Sequence, residues 1–239
     1  MIINVENLSF SKVNQMLRDS GDDCTLTGCL GQRFIGAGME GRHITIEGTP
    51  GNALGAYLNG ADITVHGNAQ DAVGDTMNDG TIVIHGNIGD AAGYAMRGGA
   101  IYVRNDAGYR AGIHMKAYQD KVPVMVIGGT VGSFLGEYQA GGLIVVLGLN
   151  SRRHKIVGFF PCTGMHGGKM VLRGTCENVV FPEQVCVRPA LEEDKAEIAE
   201  YVSAYCSYFQ ADASYIMDAP FTVITPNGNN PYRQLYVAN

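Results

Sequence analysis

A glycine returns every 19 residues along much of this chain: Gly36, Gly55, Gly74, Gly93 and Gly112. Three residues beyond each stands Met39, Leu58, Met77, Met96 or Met115. A short alternating run follows in the first four units: Ile44-Thr45-Ile46, Ile63-Thr64-Val65, Ile82-Val83-Ile84 and Ile101-Tyr102-Val103. The first three close at Gly48, Gly67 and Gly86, where the fourth has Asn105. Two further units keep the plan with altered spacing. Gly136 leads to Gly141, then Ile144 to Leu147 and Gly148; Cys162 takes the leading position before Met165, Gly167, Met170 to Leu172 and Gly174. That makes seven units between residues 36 and 174, the fifth stretched around Lys116 to Val124.

Aliphatic runs this short, alternating and bracketed by Gly and Asn, are strands and not helices. One such unit cannot bury its own apolar face, so units must stack and shelter one another. The expectation is an all-β solenoid: a right-handed parallel β-helix of about seven coils, with a short N-terminal and a longer C-terminal capping helix. Stacking puts Ile44, Ile63, Ile82 and Ile101 in one column and Ile46, Val65, Ile84 and Val103 in another, with neighbours about 4.8 Å apart. The coil glycines Gly36, Gly55, Gly74, Gly93, Gly112 and Gly136 are read as structural, at corners that demand positive φ or close backbone approach. A left-handed hexapeptide helix is the structural competitor. The steps from Met39 to Ile44 and Ile46 break its six-residue rule, and parallel crossovers prefer the right hand.

Composition agrees with a packed chain. Glycine, 33 of 239 residues, is about twice the usual ~7%, yet no G-X-Y period exists, and 46% hydrophobic residues exclude disorder. Seventeen Lys plus Arg against 23 Asp plus Glu give a net charge of −6. A mildly acidic chain with no concentrated basic face points away from nucleic acid and from anionic membranes. No basic and apolar leader opens the sequence and no long apolar run crosses it, so the expected location is cytoplasmic. Cys24, Cys29, Cys162, Cys176, Cys186 and Cys206 form no C-x-x-C pair, so no zinc or iron–sulfur site is spelled out.

The expected division is an N-terminal capping segment over 1–30, the β-helix over 31–175, and a C-terminal helix and tail over 176–239. Residues 9–19 carry Phe10, Val13, Met16 and Leu17 on one helical face with Ser9 as N-cap. Residues 189–209 place Pro189 at a helix start, followed by Glu192, Glu193 and Asp194, with Leu191, Ile198, Val202, Tyr205 and Phe209 as the stripe that lies on the rod or on a partner. Phe221 to Ile224 reads as a strand, and 226–232 as a polar turn.

Few residues offer chemistry. His66 and His85 share an outward coil position with Glu47 and Arg104, which reads as a solvated column and not a metal pair. Asn68 and Asn87 are placed for an amide ladder. Asp71 and Asp90 stack in register, yet their counterparts are Asn52 and Tyr109, so corner residues fit better than a catalytic pair. The G-A-G at residues 36–38 lacks the following helix that a phosphate cradle needs. No catalytic, cofactor-binding or metal-ligating residue is assigned. Loops added to a regular rod commonly carry its contacts, and the insertion Leu149 to Pro161 holds the candidates for partner contact: Arg152, Arg153, His154, Lys155, Phe159 and Phe160.

The units G-x-x-[ML]-x-G followed by I-x-[IV]-x-G, opening with Gly28-Cys29-Leu30-Gly31-Gln32-Arg33-Phe34-Ile35-Gly36-Ala37-Gly38, resemble the G-x-x-G-x-x-x-G domain that closes the large (alpha) subunit of glutamate synthase. The match covers about residues 24–174, and the short flanks look like the stand-alone form. A related domain forms one of the subunits of formylmethanofuran dehydrogenase. The resemblance implies a non-catalytic brace without a cofactor of its own. Its implied partners are a glutamine amidotransferase and an FMN and iron–sulfur synthase that reduces 2-iminoglutarate to glutamate; a homo-oligomer stays open. The formylmethanofuran-type component is one competing reading. A β-helix enzyme acting on saccharides is the other.

Overall fold

The computed structural model describes residues 1–21, 23–151 and 155–228. In chain order the elements are β1 (Ile2–Asn4), α1 (Phe10–Ser20), β2 (Cys24–Leu30), β3 (His43–Thr49), β4 (Asn59–His66), β5 (Asp79–Ile84), β6 (Ala100–Val103), β7 (Val124–Ile127), β8 (Ala140–Val146), β9 (Gly167–Arg173), β10 (Val185–Pro189), α2 (Glu192–Phe209), α3 (Ala213–Met217) and β11 (Phe221–Pro226). They form one sheet in the order β1-β2-β3-β4-β5-β6-β7-β8-β9-β11-β10, parallel from β1 to β9. The result is a parallel β-solenoid of about eight turns. Rung pairing begins upstream of residue 31, because β2 and β1 already pair with β3 and β2.

Register follows the apolar columns. Ile44, Ile63, Ile82, Ile101, Met125, Ile144 and Met170 are successive partners, as are Leu26, Ile46, Val65, Ile84, Val103, Ile127, Val146 and Leu172. All are fully buried, and each is worth about 1.5–3 kcal/mol of transfer free energy. A second, narrow ladder of single bridges joins Ala69, Ile88, Ala107, Val131 and Val157. The +3 column of Met and Leu has one polar member. Gln139 fills that place in the sixth unit, fully buried, its Nε2 donating to the carbonyls of Gly141 and Gly142 at 3.2 Å each.

Between the narrow ladder and the next strand, the backbone alternates in the sign of φ. The second coil has Ala53 (62°), Gly55 (65°) and Tyr57 (57°) in the left-handed region, and the third has Ala72 (57°), Gly74 (68°) and Thr76 (53°). Glycine, read as the residue that accepts such corners cheaply, therefore shares them with other residues. In both of these coils two of the three left-handed sites carry side chains, whose strain of ~1–2 kcal/mol each is offset by ladder bonds such as Ala53 N–H to the Asp71 carbonyl at 2.8 Å. The middle site is different because its Cβ would enter the core. A Cβ on Gly74 would lie 2.5 Å from Ile101 Cδ1, on the next coil. Cys162 can replace this glycine because it sits in the last coil, with no further coil to crowd it; its Sγ instead lies 3.6 Å from Met170 Sδ in its own coil.

The N-terminal end is closed by α1. Ser9 caps it by accepting from the Lys12 N–H, and Val13 and Leu17 bury in the solenoid interior. Phe10, expected on that buried face, is half exposed instead, tilted against the Phe34 ring. The unexpected member is Asn14. In later coils the leading glycine N–H donates to the coil before, as Gly55 does to the Ile35 carbonyl. Gly36 instead donates to Asn14 Oδ1 at 3.1 Å, and Asn14 Nδ2 donates to the Phe34 carbonyl at 2.9 Å. One side-chain amide thus replaces a peptide of the missing rung.

At the other end, β11 pairs antiparallel with β9 and with β10, while Val179 and Phe181 pack against the interior. α2 lies along the outer face of the main sheet and not over the end. Outward positions there change from Thr45 and Thr64 to Val83, Tyr102, Val126, Val145 and Val171, and Ile198, Val202, Tyr205 and Phe209 cover them. Pro189 ends β10 instead of starting the helix, and Leu191, now the N-cap, is exposed. The start of α2 is fixed by Asp194, almost fully buried, which accepts from Arg188 at 2.6 and 2.9 Å, from Lys169 at 3.2 Å and from the Leu191 N–H at 2.8 Å.

The Arg188 guanidinium, with the Leu191 N–H and Lys169, holds the Asp194 carboxyl well below the usual carboxylate range. A lowered folded-state pKa stabilises the protein above the unfolded value of ~3.9, and that stability is lost as pH falls from there through the folded value. Asp194→Asn should cost about 2 kcal/mol at neutral pH, with partly exposed partners softening the loss. Melting curves across pH should show the gap between wild type and variant closing only below about pH 4.

Candidate interaction surface

With α2 on the main sheet, another flank of the rod bears the alternating corners. Two outward columns run along it. Two residues before the leading position stand Phe34, Ala53, Ala72, Ala91, Arg110, Phe134 and Phe160; two after it stand Gly38, Tyr57, Thr76, Ala95, His114, Tyr138 and Gly164. In a coil of fixed period these side chains stack. Phe134 and Phe160 have ring centroids 5.4 Å apart, and the Arg110 guanidinium sits 4.9 Å from the Phe134 ring while pairing with Glu137 at 3.0 Å. His114 lies parallel to Tyr138 at 5.2 Å and edge-on to Tyr94 at 5.9 Å.

The insertion after β8 supplies the most exposed aromatic pair, Phe159 at 66% and Phe160 at 62%. Lys155 Nζ is 4.1 Å from the Phe159 centroid, a cation–π contact of ~0.5–1 kcal/mol at an exposed site. Arg152, Arg153 and His154, also expected at this contact, lie outside the described residues. The structure adds Phe134 and Arg110, which share the coil position of Phe160. Their signal was the column two residues before each leading glycine.

The other candidates are absorbed by the scaffold. Asn68 and Asn87 form the expected amide ladder, Asn87 N–H donating to Asn68 Oδ1 at 2.8 Å, and Asp106 N–H continues it to Asn87 Oδ1 at 3.1 Å. Asp71 and Asp90 form a second ladder, Asp90 N–H to Asp71 Oδ1 at 2.9 Å and Tyr109 N–H to Asp90 Oδ1 at 2.8 Å. Both carboxylates serve as coil corners. The His66 and His85 rings are tilted against each other at 4.8 Å, and His85 meets Phe209 edge-on at 5.2 Å. Burial, then the charges of His66 and Arg104, push the His85 imidazole below its usual value. Burial raises the Cys29 thiol to about 11 and the Cys162 thiol to about 12, so neither is a thiolate nucleophile at neutral pH. Among the described residues no group of three or more His, Cys, Asp or Glu could hold a metal, and no helix is long and apolar enough to cross a membrane.

The molecule is thus a parallel β-solenoid whose polar ladders bind coil to coil and whose corner columns carry stacked rings in the later coils. Its family follows from the pattern of the coils: residues 11–226 match the GXGXG motif family, and the chain belongs to it. Protein MJ1350 of Methanocaldococcus jannaschii, described only as uncharacterized, is 42% identical over 235 residues, covering 94% of this chain and 90% of that protein. Among solved structures, a chain of the formyltransferase/hydrolase complex FhcABCD from Methylorubrum extorquens, determined with methylofuran, is similar in fold. It has a TM-score of 0.64 and 20% identity, covering 90% of this chain and 87% of that one.

Proposed function

We propose that this protein is a non-catalytic brace in a glutamate synthase-type complex, holding a glutamine amidotransferase and an FMN and iron–sulfur synthase in register. The observation that carries the reading is the fate of its polar groups. Asp71, Asp90, Asn68 and Asn87 accept main-chain N–H groups of neighbouring coils, so the side chains that a saccharide-cleaving solenoid would spend on acid–base work are engaged in stacking. Membership of the GXGXG family supports it further. The contact is assigned to Phe159 and Phe160 with Lys155, the exposed aromatic pair and its cation.

A second reading, the solenoid component of a formylmethanofuran dehydrogenase-type complex, draws on the likeness to the FhcABCD chain. Affinity purification of the tagged full chain from its native cells separates them. Co-purification of an amidotransferase and a flavin and iron–sulfur protein supports the first; formyltransferase/hydrolase or pterin-bearing proteins support the second. Recovery of neither, or robust turnover by the purified chain alone, overturns both. Phe159→Asp combined with Phe160→Asp should reduce partner recovery at least tenfold, a loss of about 1.4 kcal/mol, while leaving the melting temperature unchanged.

A further inference from the structure

The stretched fifth coil builds something that the regular coils do not. Its extra residues fold into a small hairpin, in which the Tyr118 N–H donates to the Lys121 carbonyl and the Lys121 N–H to the Tyr118 carbonyl, each at 3.1 Å. This hairpin walls a pocket of about 250 Å³ lined by Ala95, Arg97, His114, Lys116, Ala117 and Tyr118. Two adjacent coils contribute to it, Arg97 from the fourth and His114 and Lys116 from the fifth.

The lining is one-sided in charge. Arg97 and Lys116 are cations, His114 and Tyr118 add ring N–H and hydroxyl groups, and no carboxylate lines the cavity. Neither Arg97 nor Lys116 takes part in an ion pair; among the described Lys and Arg residues only Arg110, Lys121, Lys169 and Arg188 do. In a chain of net charge −6, two cations left together without acidic partners repel each other, and a bound anion relieves that repulsion. One of the lining groups is held by its neighbours. His114 is clasped between Tyr94 and Tyr138, while the exposed Arg97 has its guanidinium 5.9 Å from the Tyr118 ring centroid. A preorganised donor loses little freedom on binding.

We propose that this pocket is a binding site for a small dianion carrying phosphate or carboxylate oxygens. The volume lies just below the ~300–1,000 Å³ of drug-sized sites, which suits an ion of a few heavy atoms. The planar fork of Arg97 matches two oxygens of one such group, with Lys116 as a point charge beside it.

Calorimetric titration of the full chain at fixed ionic strength tests this, with inorganic phosphate, succinate and chloride as the three probes. Saturable binding of phosphate, succinate or both, without saturation by chloride, is the expected result. Phosphate alone assigns a phosphoryl ligand and succinate alone a dicarboxylate. Arg97→Gln and Lys116→Gln should each weaken the constant about tenfold, or 1.4 kcal/mol, with unchanged melting temperatures, while Arg33→Gln, a cation away from the pocket, should have no effect. A chloride response equal to the others, no saturable binding of either dianion, or wild-type affinity in both pocket variants overturns the proposal.

Discussion

Gly67→Ala should lower stability by about 3 kcal/mol or more, although Gly67 does not need a left-handed backbone. A Cβ there would lie 2.3 Å from the Gly48 carbonyl oxygen of the preceding coil. The obstacle is main chain, and a rung cannot move without breaking its ladder to both neighbours. Gly38→Ala is the complementary case: φ is 66°, and nothing lies within 4 Å of the added atom. Left-handed strain of ~1–2 kcal/mol, partly offset by a less flexible unfolded chain, is all that it should cost. Denaturant titration of both variants separates close approach from conformational strain. Equal losses would show that approach between coils is not what selects glycine at the closing position.

Tyr205→Ala should cost about 3–5 kcal/mol and release α2 from the sheet. Tyr205 is 2% exposed, and its hydroxyl donates to the Arg104 carbonyl at 3.0 Å. It reaches that carbonyl through a gap left by Gly128, where a Cβ would stand 1.8 Å from the hydroxyl oxygen. Losing the ring uncovers the apolar outer face formed by Val83, Tyr102, Val126, Val145 and Val171, so increased binding of a hydrophobic dye should accompany the lower melting temperature. Tyr205→Phe keeps the packing and loses one hydrogen bond, a cost of about 1 kcal/mol. A folded Tyr205→Ala variant with native melting and no added dye binding would show that α2 is held by something other than this anchor.

The solenoid was legible because its physics is translational. Once one residue type recurs at a fixed interval, each inward column follows, and the observed partners Ile44, Ile63, Ile82 and Ile101 are those the spacing predicts. What was harder to read depends on breaks in that repetition. The site of α2 was written in the outward positions, where Thr45 and Thr64 give way to Val83, Tyr102 and Val126, yet an apolar outward residue in a single strand does not say what covers it. Asn14 looked like any polar residue of an amphipathic helix, because its role exists only against the unpaired edge of the first coil. Likewise Phe134 and Arg110 joined Phe160 only through the stacking, which brings residues about a coil apart into van der Waals contact. Pro189 misled because a proline that opens a helix and one that ends an edge strand look alike before the pairing of β10 is known.

Asn14 also bears on how such a protein can change its length. Because a single amide impersonates the absent neighbour, the terminator acts at one boundary and is indifferent to how many modules follow. Whole modules could be gained or lost by duplication or deletion between this terminator and β5, the first strand that α2 covers, with neither terminus rebuilt. Span would then become an adjustable dimension, a ruler whose graduations are set by genetic copy number while its end-stops stay in place.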